Sequence, residues 1–123
     1  MNIIHMDIKD ENILLKNVGG DPRNIEVKLI DFGLAIQTSS KGKYIEVDKG
    51  TGQHCYRSPE QILTGFVSPA SDLWSLGCLI AEMVTGEYYL ENYYDQPMDN
   101  FFKGGNGFMK HVRKCLIISY GII

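Results

Sequence analysis

The sequence predicts an α+β fold, mainly helical, in which a short β-hairpin and a long irregular segment precede one central buried helix. Three observations carry that expectation. Ile25, Val27 and Leu29 alternate with Glu26 and Lys28, the period of a half-buried strand. From Asp31 to Glu60 periodicity is lost among Gly33, Gly42, Gly50, Gly52 and clustered Thr, Ser and Lys residues. Leu73, Leu76, Leu79, Ile80, Met83 and Val84 then fall on one helical stripe.

The hairpin is expected from two strands, Asn12 to Lys16 and Ile25 to Asp31. The stretch between them, Asn17-Val18-Gly19-Gly20-Asp21-Pro22-Arg23-Asn24, is dense in turn formers. The segment that follows is long for a connection without structure of its own, and loops of that kind tend to be functional or disordered. The helix is expected from Ser71 to Thr85, with Ser71 capping its start and Gly86 ending it. Gly77, Cys78 and Ala81 keep much of its remaining surface small or apolar, so it is expected to be buried nearly all round. The chain is divided at that point. Residues 1–86 carry the recognisable pattern, and residues 87–123 form a divergent segment with an aromatic region at Tyr88 to Phe102 and a further helix expected from Phe108 to Ile118.

Composition narrows the function classes. A chain of 123 residues suits one domain, and 44% hydrophobic with 22% charged residues is ordinary globular usage. Twelve Lys and Arg against fifteen Asp and Glu give a net charge of −3. That balance offers no broad basic footprint, so neither nucleic acid nor a membrane surface is an expected partner. Cys55, Cys78 and Cys115 are odd in number, widely spaced and without a C-x-x-C pair, which predicts reduced thiols in an intracellular protein rather than disulfides or zinc. The N-terminus lacks the charged start and apolar run of a signal peptide, and the apolar stretch from Cys115 to Ile123 is too short to span a bilayer.

Three blocks carry chemistry. In His5-Met6-Asp7-Ile8-Lys9-Asp10-Glu11-Asn12, a carboxylate, an ammonium and a carboxamide stand at positions 7, 9 and 12 just before a strand. Phosphoryl transfer needs an oriented acceptor hydroxyl, neutralised negative charge and a metal held against phosphates, and these three groups can serve those needs. Read alone, the octet has a charged turn as its less favoured alternative. In Val27-Lys28-Leu29-Ile30-Asp31-Phe32-Gly33, a strand delivers Asp31 to its end, where an oxygen ligand can meet a hard cation, and Gly33 permits a sharp turn. The third block is Tyr56-Arg57-Ser58-Pro59-Glu60 followed by Ser71-Asp72-Leu73-Trp74-Ser75-Leu76-Gly77. Pro59 suits the first turn of a short helix. Taken singly, Asp72 reads as a helix-start acid and Trp74 as a core aromatic.

Their order is informative. A catalytic loop, Asp-Phe-Gly, an Ala-Pro-Glu element (here Ser-Pro-Glu) and an Asp-x-Trp-Ser-x-Gly helix together resemble the eukaryotic protein-kinase signature. The match runs from Ile3 to Gly86, and Tyr56 to Glu60 with Trp74 to Cys78 is most similar to the group of cyclin-dependent, MAP, LAMMER-type and SR-protein kinases. The resemblance implies part of the C-terminal lobe of a Ser/Thr kinase, with ATP and Mg2+ as cofactors and a protein bearing a Ser or Thr acceptor as partner. Asp7 would orient or deprotonate the acceptor hydroxyl. Lys9 would contact the transferring phosphate, and Asn12 and Asp31 would hold magnesium. Lys9 also points to the Ser/Thr class. Asp72 would brace the catalytic loop from beneath, and Glu60 would pair with an arginine further along the family's domain.

The pattern breaks at three places. Met6 stands where most members have the arginine that binds an activation-segment phosphate, so that form of control is not expected. Gln53 stands where the family usually has a threonine, while Thr51 sits two residues too early. No Gly-x-Gly-x-x-Gly loop or Val-Ala-Ile-Lys-like strand occurs, so the chain is expected to be an incomplete kinase domain, inactive alone. A non-catalytic binding module and a non-functional truncated product are the alternatives. An apolar helix short of partners also predicts marginal stability or aggregation, because net stability is only about 5–15 kcal/mol.

Overall fold

The computed structural model describes residues 2–21, 23–39 and 44–88. Six short strands and two α-helices follow one another in this part: β1 (Asn2–Ile4), β2 (Ile13–Asn17), β3 (Ile25–Leu29), β4 (Ile36–Thr38), β5 (Ile45–Glu46), α1 (Pro59–Thr64), β6 (Phe66–Val67) and α2 (Pro69–Thr85). Single 3-10 turns sit at Asp10–Asn12 and His54–Tyr56. The strands form three separate antiparallel pairs, β1 with β4, β2 with β3, and β5 with β6. Strand and helix are thus more evenly mixed in this part than the mainly helical balance expected, because short strands form where the sequence shows no local period; the helix expected from Phe108 to Ile118 lies outside the described residues.

The hairpin forms in the expected place, shifted by about one residue at its first strand. Ile13 faces Leu29, Leu15 faces Val27, and Asn17 faces Ile25. Its loop is closed by Val18 N–H donating to the Asn24 carbonyl at 2.9 Å. The alternation holds, but the face expected to be half-buried is open: Leu15 and Val27 are each 63% exposed.

The segment expected to be irregular is more ordered than its composition suggests. β4 is held by the register Asn2 to Thr38 and Ile4 to Ile36, and β5 by Ile45 to Val67. Both strands find partners far away in sequence, and a local period cannot report such pairing.

α1 begins with Pro59 at its first turn, as expected, and ends at Gly65, whose φ of +76° is the left-handed conformation glycine adopts freely. α2 starts two residues earlier than predicted. Pro69 occupies the first turn, and Ser68 is the cap, its hydroxyl accepting from Ala70 N–H. Ser71 serves instead as the returning half of a capping box, accepting from Ser68 N–H at 3.1 Å. Gly86 ends the helix at φ +73°, as expected.

The buried face of α2 corrects the sequence reading. Ser71, Gly77, Cys78, Leu79 and Ala81 are buried, whereas Leu73, Leu76, Met83 and Val84 are exposed. The small residues let the helix approach the 54–56 turn and β1 closely, and of the bulky stripe Leu79 is buried while Leu73, Leu76, Met83 and Val84 are left outward. No helix among the described residues is long and apolar enough to cross a membrane.

Two hydrophobic clusters anchor the fold. One joins Ile4, Met6 and Val67 to Ile36, Ile45 and Val47. The other joins Cys55, Tyr56, Cys78 and Leu79 to Ile8, Ile13 and Trp74. Residues 4 and 6 feed the first cluster, and residues 8 and 13 feed the second. The intervening loop is therefore pinned on both sides of Asp7. Cys55 and Cys78 are buried, and Cys115 lies outside the described residues.

Candidate functional site

The loop from His5 to Asn12 is fixed first by its backbone. Asp72, in the first turn of α2, accepts from His5 N–H through Oδ2 at 2.7 Å and from Met6 N–H through Oδ1 at 3.0 Å. Both bonds go to an ionised acceptor, the stronger class of hydrogen bond. They hold Met6 at φ +69°, one of two non-glycine residues with positive φ among those described. The other is Asp31, at φ +59°. Left-handed backbone costs an ordinary residue roughly 1–2 kcal/mol, and such outliers gather where surrounding structure imposes them for function. Here they fall in the two motifs that the sequence singled out.

Asp7, Lys9 and Asn12 are brought together. Asn12, itself buried, donates through Nδ2 to the Asp7 carbonyl at 2.8 Å and to Asp7 Oδ2 at 2.9 Å. Lys9 Nζ lies 3.1 Å from Asp7 Oδ2 and 3.4 Å from Glu11 Oε2. The hydrogen bond with Asp7, more than any other influence, raises the Lys9 ammonium above its ordinary value. Lys9 therefore stays a cation throughout the physiological range.

Asp31 reaches the same region by another route. At the end of β3, Ile30 N–H donates to the Asn12 carbonyl at 2.9 Å, and Ile30 O lies 3.1 Å from His5 Nε2. The Phe32 ring stands edge-on to His5 with centroids 4.7 Å apart. Asp31 thus follows a residue tied to both ends of the Asp7 loop. It makes no direct bond to Asp7, Lys9 or Asn12 among the described residues; its Oδ1 accepts from Gly33 N–H at 3.0 Å, and its side chain is exposed.

The oxygen chemistry suits a hard cation. Asn12 spends its NH2 group on Asp7, which leaves its carbonyl oxygen for another partner, and Asp31 keeps Oδ2 beyond the oxygen bonded to Gly33. Mg2+ is commonly held by one or two such oxygens together with water and phosphates, rather than by an all-protein cage. No cluster of three or more His, Cys, Asp or Glu ligands occurs among the described residues, in keeping with so sparse a donor set.

On the other side of Asp7, Gly50 to Arg57 forms a wall. Arg57 donates to the carbonyls of Gly50, Thr51 and Gly52, the two shortest bonds being 2.5 and 2.6 Å. Gln61 adds a bond to the Thr51 carbonyl at 2.8 Å. Gln53, which replaces the hydroxyl expected there, lines a small recess with Asp7, Gly52, Arg57 and Gln61. Sequence reasoning missed the bracing roles of Arg57 and Gln61 and the contacts of the His5 ring with the Ile30 carbonyl and Phe32. Arg57 stood inside a quoted motif; Gln61 gave no signal, because side-chain bonds to a distant loop's backbone leave no period.

The lower part of the site is similarly joined. Ser71 Oγ donates to Glu60 Oε1 at 2.7 Å, and Ser75 Oγ to the Tyr56 carbonyl at 2.7 Å. Tyr56, buried against α2, donates to Glu82 Oε2 at 2.5 Å. Burial first, and the Glu82 carboxylate second, push the Tyr56 phenol far above its ordinary value.

With this geometry in view, comparison with known proteins is informative. A family model described as "Protein kinase domain" matches residues 1–114. "Dual specificity tyrosine-phosphorylation-regulated kinase 2" of Drosophila melanogaster is 45% identical over 86 residues, covering 69% of this chain and 10% of that protein. "Cyclin-dependent kinase 11" of Dictyostelium discoideum is 38% identical over 103 residues, covering 82% of this chain and 26% of that protein. The chain therefore spans between a tenth and about a quarter of the length of these relatives.

Proposed function

The chain belongs to the protein kinase family, and from that premise we propose that residues 5–12 and 31–33 form the acceptor and metal side of an ATP-dependent Ser/Thr protein kinase site. The carrying observation is that Asn12 and Lys9 both converge on Asp7 while the backbone before Asp31 is bonded to Asn12. In this reading the described residues correspond to part of the family's C-terminal lobe.

Asp7 accepts, or orients, the proton of a Ser or Thr hydroxyl on a protein substrate. The hydroxyl oxygen then attacks the γ-phosphorus, the bond to the β-phosphate oxygen breaks, and ADP leaves with the negative charge. Lys9, fixed beside Asp7, neutralises charge on the phosphoryl oxygens as it moves. Asn12 and Asp31 would hold magnesium, which would supply further charge neutralisation on the phosphates. The part-buried backbone brace from Asp72 keeps Asp7 in place without touching substrate.

The sequence contains no glycine-rich loop or strand lysine to cover the nucleotide phosphates, so we infer that these residues alone do not transfer phosphate at an appreciable rate. The test is Mg-ATP binding by calorimetry together with transfer of labelled phosphate to a basic Ser-containing protein. Binding that weakens at least about tenfold in Asp31→Asn supports the reading, and any transfer must disappear in Asp7→Asn. A chain that neither binds Mg-ATP nor transfers phosphate rejects it.

A further inference from the structure

The carbonyl of Met6, which opens the peptide leading into Asp7, is met from outside by Gly52. A Cβ built on Gly52 would lie 2.6 Å from Met6 O and 3.9 Å from Asp7 Oδ1. The first distance is far inside contact, and what it meets is backbone, which cannot swing away as a side-chain tip can. Gly52 also adopts φ +73°, so both its conformation and its surroundings call for glycine.

The contact is enforced from both sides. Arg57 holds the Gly52 carbonyl through Nε at 3.1 Å and Nη2 at 2.6 Å, while Gln61 holds the neighbouring Thr51 carbonyl. Opposite them, Asp72 grips the N–H groups of His5 and Met6, and the Met6 side chain is buried with Ile4 and Val67. The 6–7 peptide is therefore clamped between α2 and the 50–57 wall, with Met6 itself held at positive φ.

We propose that Gly52 is a positioning residue for phosphoryl transfer: its bare Cα lets the 50–57 wall close on the Met6 carbonyl and so sets where the Asp7 carboxylate stands. This rests on the reading of Asp7 as the group that meets the acceptor hydroxyl. The expected consequence is specific. A side chain at residue 52 displaces the 6–7 peptide, and with it Asp7, before it disturbs the hairpin or α2.

The experiment compares the whole 123-residue chain with Gly52→Ala and Gly86→Ala by NMR and amide hydrogen exchange, without nucleotide. Gly86 has the same φ of +73° and nothing within 4 Å of its would-be Cβ, so its variant meets the backbone cost without the collision. Gly52→Ala is expected to shift the 13C resonance of the Asp7 carboxylate and to speed exchange at the Met6 and Asp7 amides by about tenfold or more, leaving β2 and β3 unchanged. Gly86→Ala is expected to do neither. Equal effects from the two variants, or an unmoved Asp7 resonance, would overturn the proposal. Should Gly52→Ala not fold, the wild-type chain decides: solid-state NMR of the chain labelled with 13C at the Gly52 Cα and the Met6 carbonyl must show a dipolar contact between the two carbons, and its absence is equally fatal. Failure of Mg-ATP binding would remove the phosphoryl-transfer reading while leaving these measurements of the clamp as they stand.

Discussion

At the scale of single residues, the account turns on which side chains hold the Asp7 loop and which act from it. Asp72 belongs to the first kind. Its two bonds to backbone N–H groups are charge-assisted, worth roughly 1.5–3 kcal/mol each before a discount for partial exposure. Asp72→Ala is expected to lower stability by about 2–4 kcal/mol in urea denaturation, and Asp72→Asn by about half as much, because a carboxamide keeps one acceptor oxygen. Tyr56 gives a pH signature. Its phenol is neutral in the fold well above the pH at which an exposed tyrosine ionises, near 10.0. A raised folded value contributes stability that is complete below the unfolded value and is lost as pH climbs beyond it. The stability difference between the wild-type chain and Tyr56→Phe should therefore be constant up to about pH 9 and shrink above pH 10, as read from denaturation midpoints. Much at this scale was legible in the sequence. Asp7, Lys9 and Asn12 were singled out and stand together, and Asp72 does brace the loop as the resemblance implied. What escaped was the set of side-chain bonds to backbone from Arg57 and Gln61 and the backbone contact of Gly52, which depend on segments brought close only by folding.

At the scale of elements, α2 is the test of how far a hydrophobic pattern can be trusted. The stripe of Leu73, Leu76, Leu79, Ile80, Met83 and Val84 belongs to a helix expected to be buried nearly all round, yet Met83 is 73% and Val84 75% exposed. The face that packs is made of small residues and Leu79, since a close approach to the 54–56 turn needs room rather than bulk. Periodicity reports that a helix has an apolar face; it does not say which neighbour takes it. The difference is measurable. Leu79→Ala should cost about 2–5 kcal/mol, whereas Met83→Lys and Val84→Lys should change the urea midpoint by no more than the equivalent of about 0.5 kcal/mol. The helix start was legible in type but not in position: Pro69 and the Ser68–Ser71 capping box set it two residues upstream of the Ser71 cap expected. Ser68→Ala, which removes the capping hydroxyl, should cost about 0.5–2 kcal/mol. The strands at Ile36–Thr38 and Ile45–Glu46 were not legible at all, because each is made by a partner remote in sequence.

At the scale of the whole molecule, two small clusters carry the interior among the described residues, and bulky residues line the outside of both the hairpin and α2. Exposed apolar faces of this kind favour association. The chain is expected to sediment as concentration-dependent assemblies at neutral pH, and sedimentation as a single monomeric species at all concentrations would count against the aggregation expected of an apolar helix short of partners. The same architecture gives the site its form. Residues 4 and 6 are rooted in one cluster and residues 8 and 13 in the other, so Asp7 stands at the seam with Asn12 beside it and Asp31 arriving from β3. The central claim is that Asn12 and Asp31 share one nucleotide-bound metal next to Asp7. Its most direct measurement is paramagnetic broadening of the chain's NMR signals by Mn2+ with ATP. Selective loss of the Asn12 side-chain amide and the Asp31 and Phe32 backbone amides, abolished by Asp31→Asn, is the predicted result. Broadening that spares these groups, or that falls on the hairpin loop and the C-terminal end of α2 instead, would contradict it.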